Sequence, residues 1–320
     1  MNFFKKIVSI FLICTAFLLP NNLATGENHE SKIKTSDKII SLEGTKNTRD
    51  LGGYKIPNCD KITKHGVFFR SDNTHNLTEN DIKKLKEQYN LKVVIDLRSE
   101  DEIDREIDKL KDIDWVTYYH IPIMFNEKIS QNLLQMKITL AEANVVMFNE
   151  KETVKKLFDA IAEVDDGGIL FHCANGKDRT GFLTMLLLGL MNVSKEDIIE
   201  NYSSSWELIK DTEKIKNKIE KHGEPMRKIY LSLPEYIEPS IDYVHKNYGN
   251  FENYLTSCNI SKKTLDKIKS RFAEVPFMKV IITGGAGFIG SYIVSELSKS
   301  NYEIFMIDNF STGKMEDNES

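Results

Sequence analysis

The segment from Gly167 to Met191, GGILFHCANGKDRTGFLTMLLLGLM, constrains the fold of this 320-residue chain more than any other. It opens with a short apolar run, which predicts a strand buried on both faces. A turn of glycine and charged residues follows. The last fourteen residues predict a helix so apolar that it lies at the centre of the molecule. A buried strand that leads into a buried helix indicates a parallel α/β fold.

Other segments continue this alternation. The apolar stretches HGVFFRSDN (65–73), LKVVIDLRS (91–99) and WVTYYHIPI (115–123) predict strands, and KIISLEGTKNTRDLGGYKI (38–56) predicts two extended segments around a turn. Helical spacing occurs after Thr78, a predicted N-cap, across 126–164, and from Ser194 to Phe272. The fold class predicted is α/β, with a parallel-rich sheet flanked by helices.

The first 26 residues have the layout of a secretory signal peptide. Two lysines precede an apolar run from Ile7 to Leu19, and small residues follow near Ala24. The thirteen-residue run is short for a bilayer span, which takes about 20 residues. We therefore expect a secreted or cell-surface protein. An uncleaved anchor is the competing interpretation, and membrane contact would then occur only through this segment.

Charge and cysteine content exclude several classes of function. The formal net charge of −5 argues against nucleic-acid binding, so any attraction for an anion depends on local cations. The chain has no Cys-x-x-Cys pair and no histidine cluster, and no metal site is predicted. Without Cys14, in the signal segment, three cysteines remain. This odd number is consistent with one free functional thiol, and pairing of Cys59 with Cys258 stays open.

The turn after the predicted strand has the chemistry of an anion-binding loop. Gly176 lets successive N–H groups point inward, and the following helix adds the positive end of its dipole. Arg179 can hold two phosphate oxygens through its planar guanidinium. The predicted phosphate-binding residues are Ala174, Asn175, Gly176, Lys177, Asp178 and Arg179.

The same loop predicts a nucleophile. A free thiol ionises near pH 8.5, and neighbouring cations and a helix N-terminus bring that value down to about 3.5–7.5. The Cys173 thiolate could then attack phosphorus and form a phosphocysteine intermediate. His172 would position or polarise the thiol, and Thr180 could donate its hydroxyl to the sulfur. The alternative is a cysteine with a purely structural role before a helix. It is disfavoured because His, Cys, Gly, Arg and Thr follow one another in this order at a strand-to-helix junction.

The string HCANGKDRTG resembles the signature of cysteine-dependent tyrosine phosphatases, in particular a bacterial branch of secreted, lipid-phosphatase-like enzymes. NTRDLGG (47–53), FFRSDN and VIDLRS are similar to further motifs of that branch, in family order, and the resemblance covers about residues 38–273. It implies a tyrosine-phosphatase-like sheet and the activity of a protein-tyrosine phosphatase whose substrates are phosphoproteins or phosphoinositides. Asn175 and Thr48 depart from the usual alanine and aromatic residue.

The leaving group needs a proton, and an aspartate is the usual donor. The resemblance implies a catalytic role for Asp178. Asp96 is the other candidate, because it ends a predicted strand at the edge where α/β sites form.

Arg49 and Asp50 are expected to support the site, with Asp50 tied to Arg49 or to a backbone amide. Lys177 could meet a second phosphate, and its alternative role is electrostatic support of the loop.

The last 43 residues, 278–320, do not continue this pattern. They predict a strand, a glycine-rich turn, a helix and a second strand, with Gly284, Gly287 and Gly290 spaced for a pyrophosphate and Asp308 about 20 residues on. The stretch resembles the N-terminus of an NAD-dependent nucleotide-sugar epimerase. One β-α-β unit cannot bury its sheet, so we expect a fused, vestigial fragment.

The predicted organisation is a signal peptide (1–26), a catalytic domain (27–277) and the epimerase-like fragment (278–320). No cofactor is expected, except NAD if the fragment were functional. Three other functions stay open: a rhodanese-like sulfurtransferase, a catalytically inactive phosphate-binding module, and an NAD-binding protein. The sequence leaves the oligomeric state undetermined.

Overall fold

A computed structural model describes residues 38–124, 131–133, 135, 137–276, 278–299 and 302–308. The predicted signal peptide lies outside the described residues, as does the start of the 126–164 segment.

Two sheets are formed by the strands β1 (Arg49–Asp50), β2 (Lys55–Ile56), β3 (Lys61–Thr63), β4 (Phe68–Ser71), β5 (Leu91–Asp96), β6 (Thr117–His120), β7 (Gly168–His172) and β8 (Ala273–Glu274). The main sheet has five strands in the order β1–β4–β7–β5–β6, and of these only β1 runs antiparallel to its neighbour. A small antiparallel sheet has the order β2–β3–β8. The predicted parallel-rich sheet is confirmed.

The register of the central strands brings three chain segments to one edge of the sheet. Ser71 of β4 and Asp96 of β5 are both paired with His172 of β7. All three strands run in the same direction, so the residues that follow them emerge side by side. Cys173 therefore leaves the sheet between the chain at Asp72 and the chain at Leu97, at the carboxyl edge where ligands bind in α/β folds.

Helices cover the sheet and form the rest of the domain. They are α1 (Glu79–Glu87), α2 (Glu100–Arg105), α3 (Leu140–Val146), α4 (Lys151–Ala162), α5 (Asp178–Leu190), α6 (Lys195–Ile209), α7 (Glu213–His222), α8 (Glu224–Tyr230), α9 (Pro234–Tyr248), α10 (Phe251–Ser257) and α11 (Lys262–Arg271). Eleven of the thirteen residues of α5 are buried, which confirms the predicted central helix. The predicted N-cap Thr78 accepts a backbone N–H, and so does Ser194, where the predicted helical stretch 194–272 begins.

The C-terminal segment has the predicted β-α-β order, with β9 (Met278–Thr283), α12 (Phe288–Leu297) and β10 (Tyr302–Ile307). The two strands pair in parallel. Gly284 has a φ of +72°, and the Asp308 carboxylate accepts the N–H of Ala286 at 2.8 Å. Large apolar side chains on the helix stay exposed, including Phe288 at 94%. A unit with this much exposed apolar surface lacks the layers that would complete a dinucleotide-binding fold.

In the part of the chain that the structure describes, no helix has both the length and the apolar character needed to cross a bilayer.

Candidate active site

The loop from Cys173 to Lys177 joins the buried strand β7 to the buried helix α5. Gly176 has a φ of +63°, a conformation that side chains rarely adopt. A Cβ atom at this position would lie 2.6 Å from the Asp72 nitrogen and the Ser71 carbonyl oxygen. The glycine is therefore required twice, for the turn and for the close approach of the loop to the end of β4.

Cys173 is buried at the base of this loop, and only 3% of its surface is exposed. Burial on its own would raise the pKa of the thiol, but the Arg179 guanidinium, the Thr180 side chain and the N–H groups of Thr180 and Asn175 outweigh it, so that the pKa is lowered. The Thr180 side chain is buried beside the thiol and favours its ionised form. The loop favours the nucleophilic form of the cysteine.

The Arg179 guanidinium is fixed by Glu102, a residue that the sequence did not single out. Its two Nη atoms donate to the two Glu102 carboxylate oxygens at 2.6 and 2.8 Å. Burial opposes the ionised carboxylate, but hydrogen bonding to Arg179 prevails and lowers the pKa of Glu102 to about 2. This end-on pair leaves the Nε edge of the guanidinium available, and Nε has no partner among the described residues.

Asp178 is the first residue of α5 and lies beside the loop. Its Oδ1 accepts hydrogen bonds from the Lys177 ammonium at 2.9 Å and from the Tyr202 hydroxyl at 2.8 Å. Within the described residues, Oδ2 has no hydrogen-bond partner. About a fifth of the side chain is exposed, so the carboxyl group is held in place and still reaches solvent.

The environment of Lys177 bears on the two roles that the sequence left open for it. Its ammonium donates to Asp178 and, at 3.0 Å, to the Leu231 carbonyl oxygen, and it lies 5.8 Å from the centre of the Tyr202 ring. Its side chain is 1% exposed. These contacts correspond to the alternative in which Lys177 supports the loop, because a buried, engaged ammonium is poorly placed to meet a second phosphate.

His172, next to the nucleophile, belongs to a fully buried network of charges. Its Nε2 lies 2.7 Å from Asp108 and 3.7 Å from Asp96, and its Nδ1 lies 3.4 Å from the Cys173 carbonyl oxygen. Burial disfavours the charged imidazole, but Asp96 and Asp108 outweigh it and raise the pKa of His172 to about 8. The ring is therefore a cation at neutral pH, behind the thiolate.

The raised pKa of His172 predicts a stability that depends on pH. The value of about 8 exceeds about 6.5 in the unfolded chain, so the contribution is complete below pH 6.5 and is lost between pH 6.5 and 8. The difference amounts to about 2 kcal/mol. We expect the free energy of unfolding in urea to fall between pH 6 and 8.5 by about this much more in the wild type than in His172→Gln. Equal pH dependence in the two proteins would contradict it.

Asp96 ends β5 as predicted but is fully buried. Its carboxylate accepts three hydrogen bonds from the Arg98 side chain at 2.6 to 3.0 Å and one from the Tyr118 hydroxyl at 2.7 Å. Burial raises its pKa, but His172 and Arg98 have the larger combined effect, so that the pKa is lowered. Asp96 is thus held ionised, away from solvent.

Asp96, Asp108 and His172 also bring three possible metal-ligand atoms within 4.8 Å of one another. The residues fit a metal ion poorly. Arg98 and the His172 imidazolium already supply the positive charge, and the Asp96 oxygens already accept from Arg98 and Tyr118. The cluster is better described as a buried ion-pair network.

Residues of the early motif NTRDLGG support the catalytic loop through hydrogen bonds to its backbone and through contacts beneath it. The Asn47 side chain donates to the carbonyl oxygens of Asn175 and Gly176, both at 3.0 Å. Arg49 is fully buried against α6. Asp50 accepts the N–H groups of Gly52 and Gly66, so it binds backbone amides and not Arg49.

Cys59 and Cys258, whose pairing the sequence left open, are both free. Cys59 is exposed and Cys258 is buried, so the two thiols have different environments.

A cleft of about 770 Å³ opens beside the loop, at Ala174 and Asn175. Its wall carries five acidic side chains and two lysines, namely Glu43, Asp72, Glu106, Asp211, Glu213, Lys46 and Lys214. Burial lowers the pKa of His75, which also lines the cleft, so this imidazole adds no charge at neutral pH. The cleft is large enough for a ring-sized substituent and is acidic overall.

Comparison with known proteins agrees with the motifs. The model of the tyrosine phosphatase family matches residues 40–274. A tyrosine-protein phosphatase of Nostoc commune is 30% identical over 220 residues, which are 65% of this chain and 74% of that protein. A relative from Cupriavidus necator is 28% identical over 176 residues, which are 52% of this chain and 62% of that protein.

The model of the NAD dependent epimerase/dehydratase family matches residues 280–320, as the resemblance of the tail predicted. Among solved structures, TpbA of P. aeruginosa aligns with 66% of this chain and 97% of its own, at 15% identity and a TM-score of 0.32, a likeness too slight to argue from. The family model that spans residues 40–274 covers most of the chain and all of the loop. The chain belongs to the tyrosine phosphatase family, and its enzyme class is protein-tyrosine phosphatase.

Proposed function

We propose that the protein hydrolyses phosphotyrosine in proteins through a phosphocysteine intermediate. One observation carries this proposal: Cys173, with a lowered thiol pKa, lies at the base of the loop, Arg179 follows in the first turn of α5, and a cleft opens at the same loop. An ionised sulfur beside a phosphate-binding guanidinium is what an in-line displacement at phosphorus needs.

The two steps conserve atoms and protons. In the first, the Cys173 thiolate attacks phosphorus, the bond from phosphorus to the tyrosine oxygen breaks, and that oxygen takes a proton from a carboxyl group. In the second, water attacks phosphorus and gives its proton to the same carboxylate, and the thiolate leaves. Arg179 and the loop N–H groups stabilise the negative charge on the phosphoryl oxygens in both transition states.

We assign the proton transfer to Asp178. Its Oδ2 is free of partners within the described residues, and its side chain reaches solvent. Asp96, the other candidate, is buried and ion-paired with Arg98. Asp72 lines the cleft, but its carboxylate accepts the N–H groups of Lys46 and Asn47 and so anchors that turn.

This assignment predicts a dependence on the leaving group. Asp178→Asn should lower kcat for phenyl phosphate by about a hundredfold or more, because the poor leaving group needs the proton. The loss for 4-nitrophenyl phosphate, whose phenolate leaves unprotonated, should be much smaller. The matched control is Asp72→Asn, which should affect both esters alike. Equal losses in Asp178→Asn would assign the proton to another group.

The charges around the loop favour phosphotyrosine over phosphoinositides. A headgroup with several phosphates needs extra cations, but Lys177 is buried and engaged, and acidic side chains outnumber lysines in the cleft. The negative charges that line the cleft repel the additional phosphate groups of such a headgroup and so disfavour its binding. A phosphotyrosine ring carries one phosphate and leaves the rest of the cleft to the peptide.

A substrate panel tests the proposed function. Phosphate release from phosphotyrosine peptides, phosphoserine peptides and phosphoinositide vesicles is measured beside sulfur transfer from thiosulfate to cyanide. We expect phosphotyrosine to have the highest kcat/KM and sulfur transfer to be absent. Sulfur transfer alone would support the rhodanese-like alternative, and phosphate binding without release would indicate an inactive binding module.

We also propose that the enzyme acts outside the cytoplasm, on the basis of the signal-peptide pattern in residues 1–26. In a bacterial host, the exported protein should begin near residue 27. A chain that stays in the cytoplasm with its original N-terminus would refute this.

The tail predicts a negative result. The β-α-β unit leaves apolar surface exposed, and we expect NAD to bind no more tightly than roughly 1 mM. Removal of residues 278–320 should leave kcat/KM for a phosphotyrosine peptide unchanged. Calorimetric titration with NAD and a kinetic comparison of the two chain lengths check both points. Micromolar NAD affinity, or loss of activity with the tail, would support the NAD-binding alternative.

A further inference from the structure

Two arginines face each other beneath the catalytic loop, and within the described residues neither forms a hydrogen bond or close ion pair with a carboxylate. Arg49 of β1 and Arg70 of β4 are directly opposite in the antiparallel pair, and both are fully buried. All their hydrogen-bond partners within the described residues are neutral: the Asn201 side chain and carbonyl oxygen, the Ser204 and Ser205 hydroxyls, and the Gly176 and Lys177 carbonyl oxygens.

This arrangement is costly. Like charges directly opposite in a sheet repel each other, and a buried guanidinium without a counter-charge is strongly disfavoured. Burial accordingly lowers the pKa of both side chains, that of Arg70 to about 10, and the Cys173 thiolate is the group that most opposes the change at Arg70. Folds retain such costs mainly at functional sites.

The contacts of Arg70 with the loop indicate a function for this unfavourable burial. Its guanidinium donates to the carbonyl oxygens of Gly176 and Lys177, and Asn47 donates to those of Asn175 and Gly176. Three consecutive carbonyl groups are thus held from behind. In a trans peptide the N–H points away from the C=O, so the N–H groups of residues 176, 177 and 178 are turned to the opposite side. Such a row of N–H groups binds anions.

We propose that Arg70, assisted by Asn47, is a positioning residue for the phosphate. It fixes the peptide planes of the loop so that the N–H groups of residues 176–178 converge on the phosphoryl group, and its positive charge is balanced by the anion at the site. That anion is the Cys173 thiolate in the free enzyme and the phosphoryl group in the complex. The inference rests on the proposed phosphatase function.

The chain supplies a matched control. Arg49 is as deeply buried as Arg70 and binds the same helix, α6, but it makes no hydrogen bond to the loop. If the arginines only stabilise the fold, Arg49→Met and Arg70→Met will have similar consequences. If Arg70 orients the loop, only its replacement will affect anion binding strongly.

The test measures three quantities in the full chain: inhibition by orthovanadate, the pH midpoint of iodoacetamide alkylation of the active-site thiol, and the melting temperature. Alkylation is measured in a Cys14→Ser, Cys59→Ser, Cys258→Ser background, which leaves Cys173 as the one thiol of the chain. At a comparable loss of melting temperature, Arg70→Met should weaken orthovanadate at least about tenfold more than Arg49→Met. It should also raise the alkylation midpoint by about one pH unit. Parallel effects of the two variants on all three quantities would overturn the proposal.

Two milder variants keep the test decisive if Arg70→Met does not fold. Asn47→Ala removes donors to the loop but no charge, so it should weaken orthovanadate about threefold or more and leave the alkylation midpoint in place. Arg70→Lys keeps the charge and loses the planar donors. It should likewise weaken orthovanadate binding about threefold or more and leave the alkylation midpoint unchanged. Unchanged orthovanadate affinity in both would overturn the proposal. A wild type that neither binds orthovanadate nor releases phosphate would refute the proposed function instead.

Discussion

Cys173→Ser is expected to lower kcat/KM for a phosphotyrosine peptide by about 10⁴-fold or more. The loop lowers the pKa of a thiol, but a serine hydroxyl in the same place stays protonated at neutral pH and is a weak nucleophile. Binding should survive, because Arg179 and the loop N–H groups remain. The variant should therefore bind phosphotyrosine peptide without hydrolysing it, as measured by calorimetry and by phosphate release.

The other cysteines provide matched controls. Cys258 is as buried as Cys173, at 2% against 3%, and Cys59 is exposed. Neither contributes to the loop, so Cys258→Ser and Cys59→Ser should retain the wild-type kcat/KM within about twofold. Phosphate release that persists in Cys173→Ser, or that disappears equally in Cys258→Ser, would contradict the role given to Cys173.

Arg179→Lys is the second large effect, with an expected loss of about 10³-fold in kcat/KM. Lysine keeps the charge but cannot bind Glu102 end-on and phosphate through a second edge at once. Because the phosphoryl charge is held in the transition state as well as in the complex, kcat should fall as well as affinity. Steady-state kinetics with a phosphotyrosine peptide measures both.

The control for this substitution is Arg227→Lys, which replaces an arginine that pairs with Glu224 at the surface. It should behave as the wild type. A lysine at position 179 that supports nearly full kcat would show that charge alone is sufficient and that the planar geometry of the guanidinium is dispensable.

The loop itself could be predicted because its determinants are local. The apolar strand, the glycine that permits a φ of +63°, and the apolar helix all lie within 25 consecutive residues. The partners of the loop could not be predicted, because they come from distant parts of the chain. Glu102 is 77 residues from Arg179, and Leu231 is 54 residues from Lys177. A local signal for Glu102 is the capping pattern Ser99-x-x-Glu102 that opens α2, although it indicates a helix start and no contact with Arg179.

The buried charged residues are the second part of the structure that could not be predicted from the sequence. Arginine is almost never fully buried unless it is paired, so sequence alone gives no reason to place Arg49, Arg70 and Arg98 inside the domain. Each is accommodated by hydrogen-bond partners that come together only in the folded domain, chiefly on helix α6 for Arg49 and Arg70 and at the end of β5 for Arg98. Asp96 illustrates the consequence: its place at the end of β5 was predictable, and its ion pair with Arg98 was not.

The proposed phosphocysteine intermediate can be trapped directly. Wild-type enzyme is mixed with a phosphotyrosine peptide, denatured during the first turnover, digested and analysed by mass spectrometry. We predict a phosphoryl group on the sulfur of Cys173, formed before steady-state phosphate release and absent from Cys173→Ser. Turnover without phosphoryl transfer to Cys173, or with the phosphoryl group on His172 or another residue, would contradict the mechanism.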